Sequence, residues 1–255
     1  MNGWTALVLA GSRPGNDPFA QAYGTDLKAL IPVGGVPMVA RPVQALLDSP
    51  DIDRVHVLTQ HPDRIAAVLA SDPRLSIEPS SGTIAETLTG LFADPSTRYP
   101  VLVTTADHAL LDPAMVADFC AKADGADLAI GLVERAELMA RLPETQRTWL
   151  GFRGGAYSGA NLFAFGSAKG ISAVELWRSV EQDRKKGWRM VGELGPLALI
   201  GAVLRWRTLD QILESVGRRL GLTIRKVELA NPLAAVDVDK PADHELVTAI
   251  LEGRA

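Results

Sequence analysis

Only one cysteine, Cys120, occurs in the 255 residues. Neither an internal disulfide nor a cysteine-built metal cluster is therefore open to this chain. Basic charge is not in excess: 26 Lys and Arg stand against 30 Asp and Glu, for a formal net charge of −4. General nucleic-acid binding, which leaves a basic footprint, is not expected. The opening has no basic n-region, and its apolar run is too short for a signal peptide or a membrane span. The expectation is a soluble, cytoplasmic protein with no membrane span. No Gly-Lys-Ser/Thr occurs, so a Walker P-loop is absent, and no Gly-x-Gly-x-x-Gly follows the first strand. Internal repeats and low-complexity segments are also missing. What is present is ordinary globular composition, 47% hydrophobic and 22% charged, in a length suited to one domain with a small extension.

The informative opening is Ala6-Leu7-Val8-Leu9-Ala10-Gly11-Ser12-Arg13-Pro14-Gly15, followed by Lys28 in Asp26-Leu27-Lys28-Ala29-Leu30. Residues 5–10, apolar but for Thr5, suit a central parallel strand covered on both faces. The run stops at Gly11, Ser12 and Gly15, which have little or no side chain and let a polyanion approach backbone N–H groups. Arg13 and Lys28 bring positive charge to the same mouth. A strand ending in such a turn suits the phosphates of a nucleotide.

Further along, Tyr99–Thr105 reads as a buried strand ending in Asp107, where ligands sit in open α/β sheets. A hard carboxylate there suits Mg²⁺. Asp112, directly before Pro113, is the natural cap of the following helix, which leaves Asp107 free; His108 reads as structural or supporting. Near the end, Ala235-Val236-Asp237-Val238-Asp239-Lys240-Pro241 is expected to be a strand with Asp237 and Asp239 on one face. Two carboxylates on one face repel unless a cation lies between them or one points to solvent.

These segments resemble, in order, the motifs of the MobA-like NTP transferases, nucleotidyltransferases with a GT-A-like fold. That family reads roughly L-x-A-G-G-x-S-x-R-M-G-x-D-K, then K-x-L-x-x-x-x-G-x-P-M, an acid after the central strand, and D-V-D-T-P-E-D near the end. The second motif matches Lys28-Ala29-Leu30 through Gly35-Val36-Pro37-Met38, and the last matches Asp237-Val238-Asp239-Lys240-Pro241. The first departs: the glycine pair is shortened and Asn16 to Asp26 intervene before the lysine. Nucleobase choice therefore cannot be carried over.

The resemblance implies a Rossmann-like three-layer α/β/α fold around a mostly parallel sheet. It implies one domain: a nucleotide-binding half over 1–133, an acceptor-side insertion over 134–228 with a small hairpin and helices, and a closing metal-site strand and helix over 229–255. Leu9, Ala10, Gly11, Ser12, Arg13, Gly15, Lys28, Ser81, Gly82 and Thr83 are the implied nucleotide contacts, with Arg13 and Lys28 catalytic. Ser81 before a helical run reads equally as an N-cap, whereas Gly82 and Thr83 are the better candidates for ligand contact because of their place in the order of motifs. Asp107 and Asp237 are the implied ligands of Mg²⁺, or of Mn²⁺. Asp239 is a third ligand or an outer partner.

Between these motifs the expectations rest on pattern. Helices are expected over 38–47, 62–70 and 113–121, with strands over 54–58, 75–77 and 126–133. Residues 134–150 read as irregular, and 149–153 with 160–165 as a hairpin. Tyr157, Ser158 and Asn161 are candidates for the acceptor; an amide inside an apolar run must find partners. A helix over 172–186 ends in Arg184 and Lys185, which read either as ordinary C-terminal cations or as contacts to an acceptor phosphate. Trp177, Trp188, Trp206 and an apolar stretch over 194–203 suit a core, an acceptor pocket or a homodimer face. Asp210–Arg219 is a further helix, stopped at Gly221.

The implied reaction moves a nucleoside monophosphate from an NTP to a phosphorylated sugar or alcohol and releases pyrophosphate. Guanylylation of a pterin or cobamide precursor, or nucleotide binding without catalysis, are the alternatives.

Overall fold

A computed structural model of the chain describes residues 3–12, 15, 17–80, 83–182 and 206–255. In chain order these form β1 (Trp4–Leu9), α1 (Pro18–Ala22), β2 (Pro32–Val33), β3 (Val36–Pro37), α2 (Ala40–Leu47), β4 (Ile52–Thr59), α3 (Pro62–Ala66) and β5 (Leu75–Pro79). Next come α4 (Ile84–Ala93), β6 (Val101–Thr105), α5 (Pro113–Ala123), β7 (Leu128–Glu134), α6 (Arg135–Arg141), β8 (Leu150–Phe152), β9 (Gly155–Phe165) and α7 (Ile171–Gln182). The last elements are α8 (Leu209–Leu220), β10 (Ile224–Glu228) and α9 (Pro241–Leu251).

The main sheet runs in the order β10-β7-β9-β6-β1-β4-β5, with β8 paired to β9. Strand β1 lies between β4 and β6 and is parallel to both, so the apolar opening is central as expected. Its alternate side chains feed two cores. Ala6 and Val8 join Val57, Leu102 and Phe119 under α2 and α5. Leu7 joins Val101, Val103, Leu88 and Phe165 under α4 and α7. Helices on both faces of a mostly parallel sheet give the three-layer α/β/α architecture. Strand β9 alone is antiparallel to its neighbours in the main path, β6 and β7.

From β1 the chain builds outward through β4 and β5, then returns to place β6 on the other side of β1. The crevice between the carboxyl ends of β1 and β6 is therefore a topological switch point, where open α/β sheets receive ligands. Strand β9 widens that end. Leu132 lies opposite Gly159 but Ile130 lies opposite Phe163, so β9 carries extra residues between these pairs. Asn161 sits in this bulge with φ +48°, an unusual conformation for a non-glycine residue. A bulge bends the strand and re-aims a side chain.

Several expectations change. Residues 134–150 contain α6, capped by Glu134 through Ala136 N–H, so they are not wholly irregular. Helix α3 stops at Ala66, and the Gly34-Gly35 turn joins two short strands, β2 and β3. Both glycines have positive φ, 55° and 76°, as a tight two-residue hairpin turn requires. Strand β10 extends the sheet beyond β7 and was not anticipated. The segment carrying Asp237 and Asp239 is extended but is not a strand of the sheet. It follows a 3-10 turn, Pro232–Ala235, and Val238 N–H donates to the Asp107 carbonyl at 3.1 Å.

Candidate active site

The Gly-rich turn leaves β1 at Ala10, whose N–H donates to the Leu58 carbonyl at 2.9 Å. Gly11 lies against Gln60: a Cβ on Gly11 would stand 3.3 Å from the Gln60 amide nitrogen. Gln60 Oε1 accepts from Ser12 N–H at 2.9 Å. A side chain at the end of β4 thus holds the backbone of the turn. Sequence reading had no motif with which to find Gln60. Arg13 lies outside the described residues, as do Ser81, Gly82, Arg184 and Lys185. Trp188 and the apolar stretch over 194–203 lie outside them as well.

The insertion before Lys28 is built, not slack. Asp17 caps α1 through Phe19 N–H at 2.9 Å. Tyr23 Oη lies 3.0 Å from His244 Nδ1, and His244 Nε2 lies 2.7 Å from the Pro32 carbonyl. Because Nε2 must donate to that carbonyl, Nδ1 accepts from the phenol in the neutral ring. Asp26 pairs with Arg64 of α3 at 2.6 Å. The insertion therefore reaches from α3 to α9.

Lys28 opens a 3-10 turn whose next residue, Ala29, is buried. Its Nζ donates to Asp107 Oδ2 at 2.7 Å and also to Asp239 Oδ1. Burial alone pushes its pKa down, but the charges of Asp107 and then Asp239 outweigh this and hold it above the usual lysine value. Asp107 lies just past β6 and takes a second hydrogen bond from Thr105 Oγ1. His108 beside it is fully buried, and burial lowers its pKa to about 4, so it is neutral. Its Nδ1 lies 3.3 Å from Thr104 Oγ1, a structural placement. Asp112 caps α5 through Met115 N–H at 2.7 Å, as the sequence suggested.

Asp237 is held from two sides. Arg147 Nη1 donates to its Oδ1, and Arg147 Nη2 to its carbonyl at 3.1 Å. Asn161 Nδ2 donates to Oδ2 at 3.2 Å, so the amide in the bulge finds its partner. Burial and the charges of Asp239 and Asp107 raise the Asp237 pKa, against the opposing effect of Arg147. Asp243, in the first turn of α9, takes Arg147 on Oδ1 at 3.4 Å. Its Oδ2 accepts from the N–H groups of Asp239 and Lys240 at 3.1 and 3.2 Å. Arg147 was missed because it is an isolated arginine in a stretch without pattern. Asp243 was visible only as an acid two residues after Pro241.

Asp107, Asp237, Asp239 and Asp243 thus face Lys28 and Arg147, leaving two formal negative charges uncompensated. Hard oxygen donors with that surplus fit a divalent cation such as Mg²⁺, which takes one or two carboxylates and completes its shell with water and phosphate oxygens. Among the described residues no group of three His, Cys, Asp or Glu is arranged to hold a metal. The reason is local. Lys28 stands between Asp107 and Asp239, while Arg147 and Asn161 occupy both oxygens of Asp237.

The acceptor candidates separate. Asn161 reaches the acid cluster. Ser158, buried, pairs with Val133. Tyr157 is buried with Leu132 and Leu209, near the Phe152 ring, and its phenol lies 3.5 Å from Lys226 Nζ. Strand alternation turns it into the core and away from Ser158. Thr83 uses its hydroxyl to accept Glu86 N–H at 3.2 Å in a capping box with Glu86, the N-cap alternative.

A lysine and clustered carboxylates beside the end of β1, at the switch point of an α/β sheet, suit the class of enzymes that handle phosphate-bearing ligands. The MobA-like NTP transferase domain profile matches residues 6–219, and the chain belongs to that family; it is a nucleotidyltransferase. No curated protein sequence matches it. Among solved structures, a hypothetical transferase from Thermus thermophilus is 28% identical, with a TM-score of 0.80, covering 95% of this chain and 100% of its own. A 4-diphosphocytidyl-2C-methyl-D-erythritol synthase from Anaerococcus prevotii (12% identity, TM-score 0.62, 98% and 96% covered) shares the fold. So does a CMP:2-keto-3-deoxy-manno-octonic acid synthetase complexed with CTP (15%, 0.61, 100% of both chains). Among the described residues no helix is long and apolar enough to cross a membrane.

Proposed function

We propose that the protein transfers a nucleoside monophosphate from an NTP to a phosphorylated small molecule, a sugar phosphate or phospho-alcohol, in a Mg²⁺-dependent reaction. The observation that supports this reading is that Lys28 meets Asp107 and Asp239 just past β6, the strand beside β1 and its Gly11-Ser12 end. An acceptor phosphate oxygen attacks the α-phosphorus, the bond to the β-phosphate bridging oxygen breaks, and pyrophosphate leaves. No protein nucleophile is needed, so positioning and charge neutralisation carry the rate.

In this reading Gly11, Ser12 and Gly15, with Leu9 and Ala10 at the strand end, border the triphosphate. Arg13 neutralises its β- and γ-phosphates. Lys28 neutralises charge gathering at the α-phosphate. Gly82 and Thr83, with Ser81, border the nucleoside. Asp107 and Asp239, with Asp237 beside them, would hold Mg²⁺, and the ion would supply charge neutralisation at the phosphates. Asn161 and Ser158, with Arg184 and Lys185, face the acceptor.

The test is pyrophosphate release from each of the four NTPs with Mg²⁺ and a panel of sugar phosphates, phospho-alcohols and pterin phosphates. Release that requires both NTP and one acceptor is the expected result. Nucleotide binding without release across the panel would turn the reading to a binding protein.

A further inference from the structure

The ammonium of Lys28 bridges Asp107 Oδ2 and Asp239 Oδ1, while Asp107 Oδ1 accepts from Thr105 Oγ1. The carboxylates come from distant segments, just past β6 and just before α9, and the Asp107 carbonyl is tied to Val238 N–H. The pair is therefore fixed by backbone, whereas the lysine reaches it on a flexible four-carbon stem. Lys28 keeps 26% of its side chain exposed and Asp239 keeps 63%, so the ammonium has a route out. Asp237 is instead held by Arg147 and Asn161, one on each oxygen.

From this we infer that Lys28 is an exchangeable counter-ion. In the nucleotide-free protein its ammonium neutralises the Asp107–Asp239 pair. When a divalent cation arrives with nucleotide, the cation takes that place and the ammonium moves onto the phosphates. Two cations cannot share one pair of oxygens at these distances without strong repulsion. The inference rests on the nucleotidyl-transfer reading for the second half of the exchange only. The device disfavours metal without nucleotide and makes metal and nucleotide bind with positive coupling, which by linkage is reciprocal.

The test is Mn²⁺ titration, followed by electron paramagnetic resonance, of wild type, Lys28→Met and Lys240→Met, each with and without NTP. Without nucleotide, Lys28→Met is expected to bind Mn²⁺ about tenfold more tightly than wild type, within the usual range of coupling between sites. NTP is expected to tighten Mn²⁺ binding in wild type and to do so much less in Lys28→Met. Lys240→Met removes the same charge one residue beyond Asp239 and is expected to change affinity by less than about twofold, as a screened surface charge does. Equal or weaker Mn²⁺ binding by folded Lys28→Met, an equal effect of Lys240→Met, or no Mn²⁺ binding by either lysine variant would overturn the inference. The nucleotide-free arm needs no turnover, so failure of pyrophosphate release would sink the activity and leave this measurement standing.

Discussion

Arg147 closes on Asp237 from the far side of the acid cluster, one guanidinium nitrogen on the carboxylate and the other on the carbonyl of the same residue. The arginine side chain is 8% exposed and its second partner, Asp243, 9%. Removing one member of a buried ion pair leaves the others uncompensated, typically at about 3–5 kcal/mol. Arg147→Met is expected to lose roughly 3 kcal/mol of stability on that basis. Urea unfolding checks this, and a loss below about 1 kcal/mol, the value of an exposed pair, would show that the contact is superficial.

Lys28→Ala and Asp107→Ala are each expected to lower pyrophosphate release at least about a hundredfold, as loss of a group aimed at developing charge does. Both side chains are partly exposed, and circular dichroism of either variant is expected to match wild type. Near-normal rates in folded variants would remove both residues from the proposed chemistry.

Cys120 offers a pH-dependent test. Burial, with the nearby charge of Asp51, pushes its thiol from 9.0 up to about 12. Below pH 9 both folded and unfolded chains keep the proton, and the group contributes no pH dependence. Between 9 and about 12 the unfolded chain releases it first, so stability falls as pH rises. A disulfide reagent at pH 8 is expected to leave the native thiol unlabelled and to titrate it fully in denaturant, because the thiolate is the reactive form. Rapid labelling of native protein would contradict its placement in the core under α5. A Cys120→Ser variant should lose its share of the alkaline destabilisation.

Gly166, just beyond β9, has no room for a methyl group: a Cβ there would lie 2.1 Å from the Ala126 carbonyl oxygen. Because the obstacle is backbone, it cannot rotate aside. Gly166→Ala is expected to cost roughly 2–3 kcal/mol, the upper range for overpacking, read as a lowered melting temperature. An unchanged melting temperature would mean that the turn into Ser167 relaxes freely.

The site was legible where one residue type must stand at the end of an apolar run. Asp107 after β6 and Asp112 before Pro113 follow such local grammar, whereas Lys28, a dozen residues past Gly15, is singled out by the resemblance to the family motif. Asn161 was found because an amide in an apolar strand requires a partner, and that partner is Asp237. Sequence alone offers Tyr157 to the acceptor from its place in a hairpin of alternating small polar and apolar residues. The alternation of β9 instead turns it into the core beside Lys226, and short polar stretches do not reveal which face is buried. Helix α6 went unrecognised because Pro143 and the threonines after it obscured one short amphipathic helix.

By itself the sequence determined the central strand, the layered α/β class, the order of motifs and the acids that end up at the switch point. Each of these follows from hydrophobic period or from a turn and cap requirement that acts within a few residues. Tertiary structure alone decided which cation meets which carboxylate. Lys28 reaches Asp239 across 211 positions and Arg147 reaches Asp237 across 90. Such pairings depend on how strands that are distant in the chain are stacked, and no local pattern of residues encodes that distance.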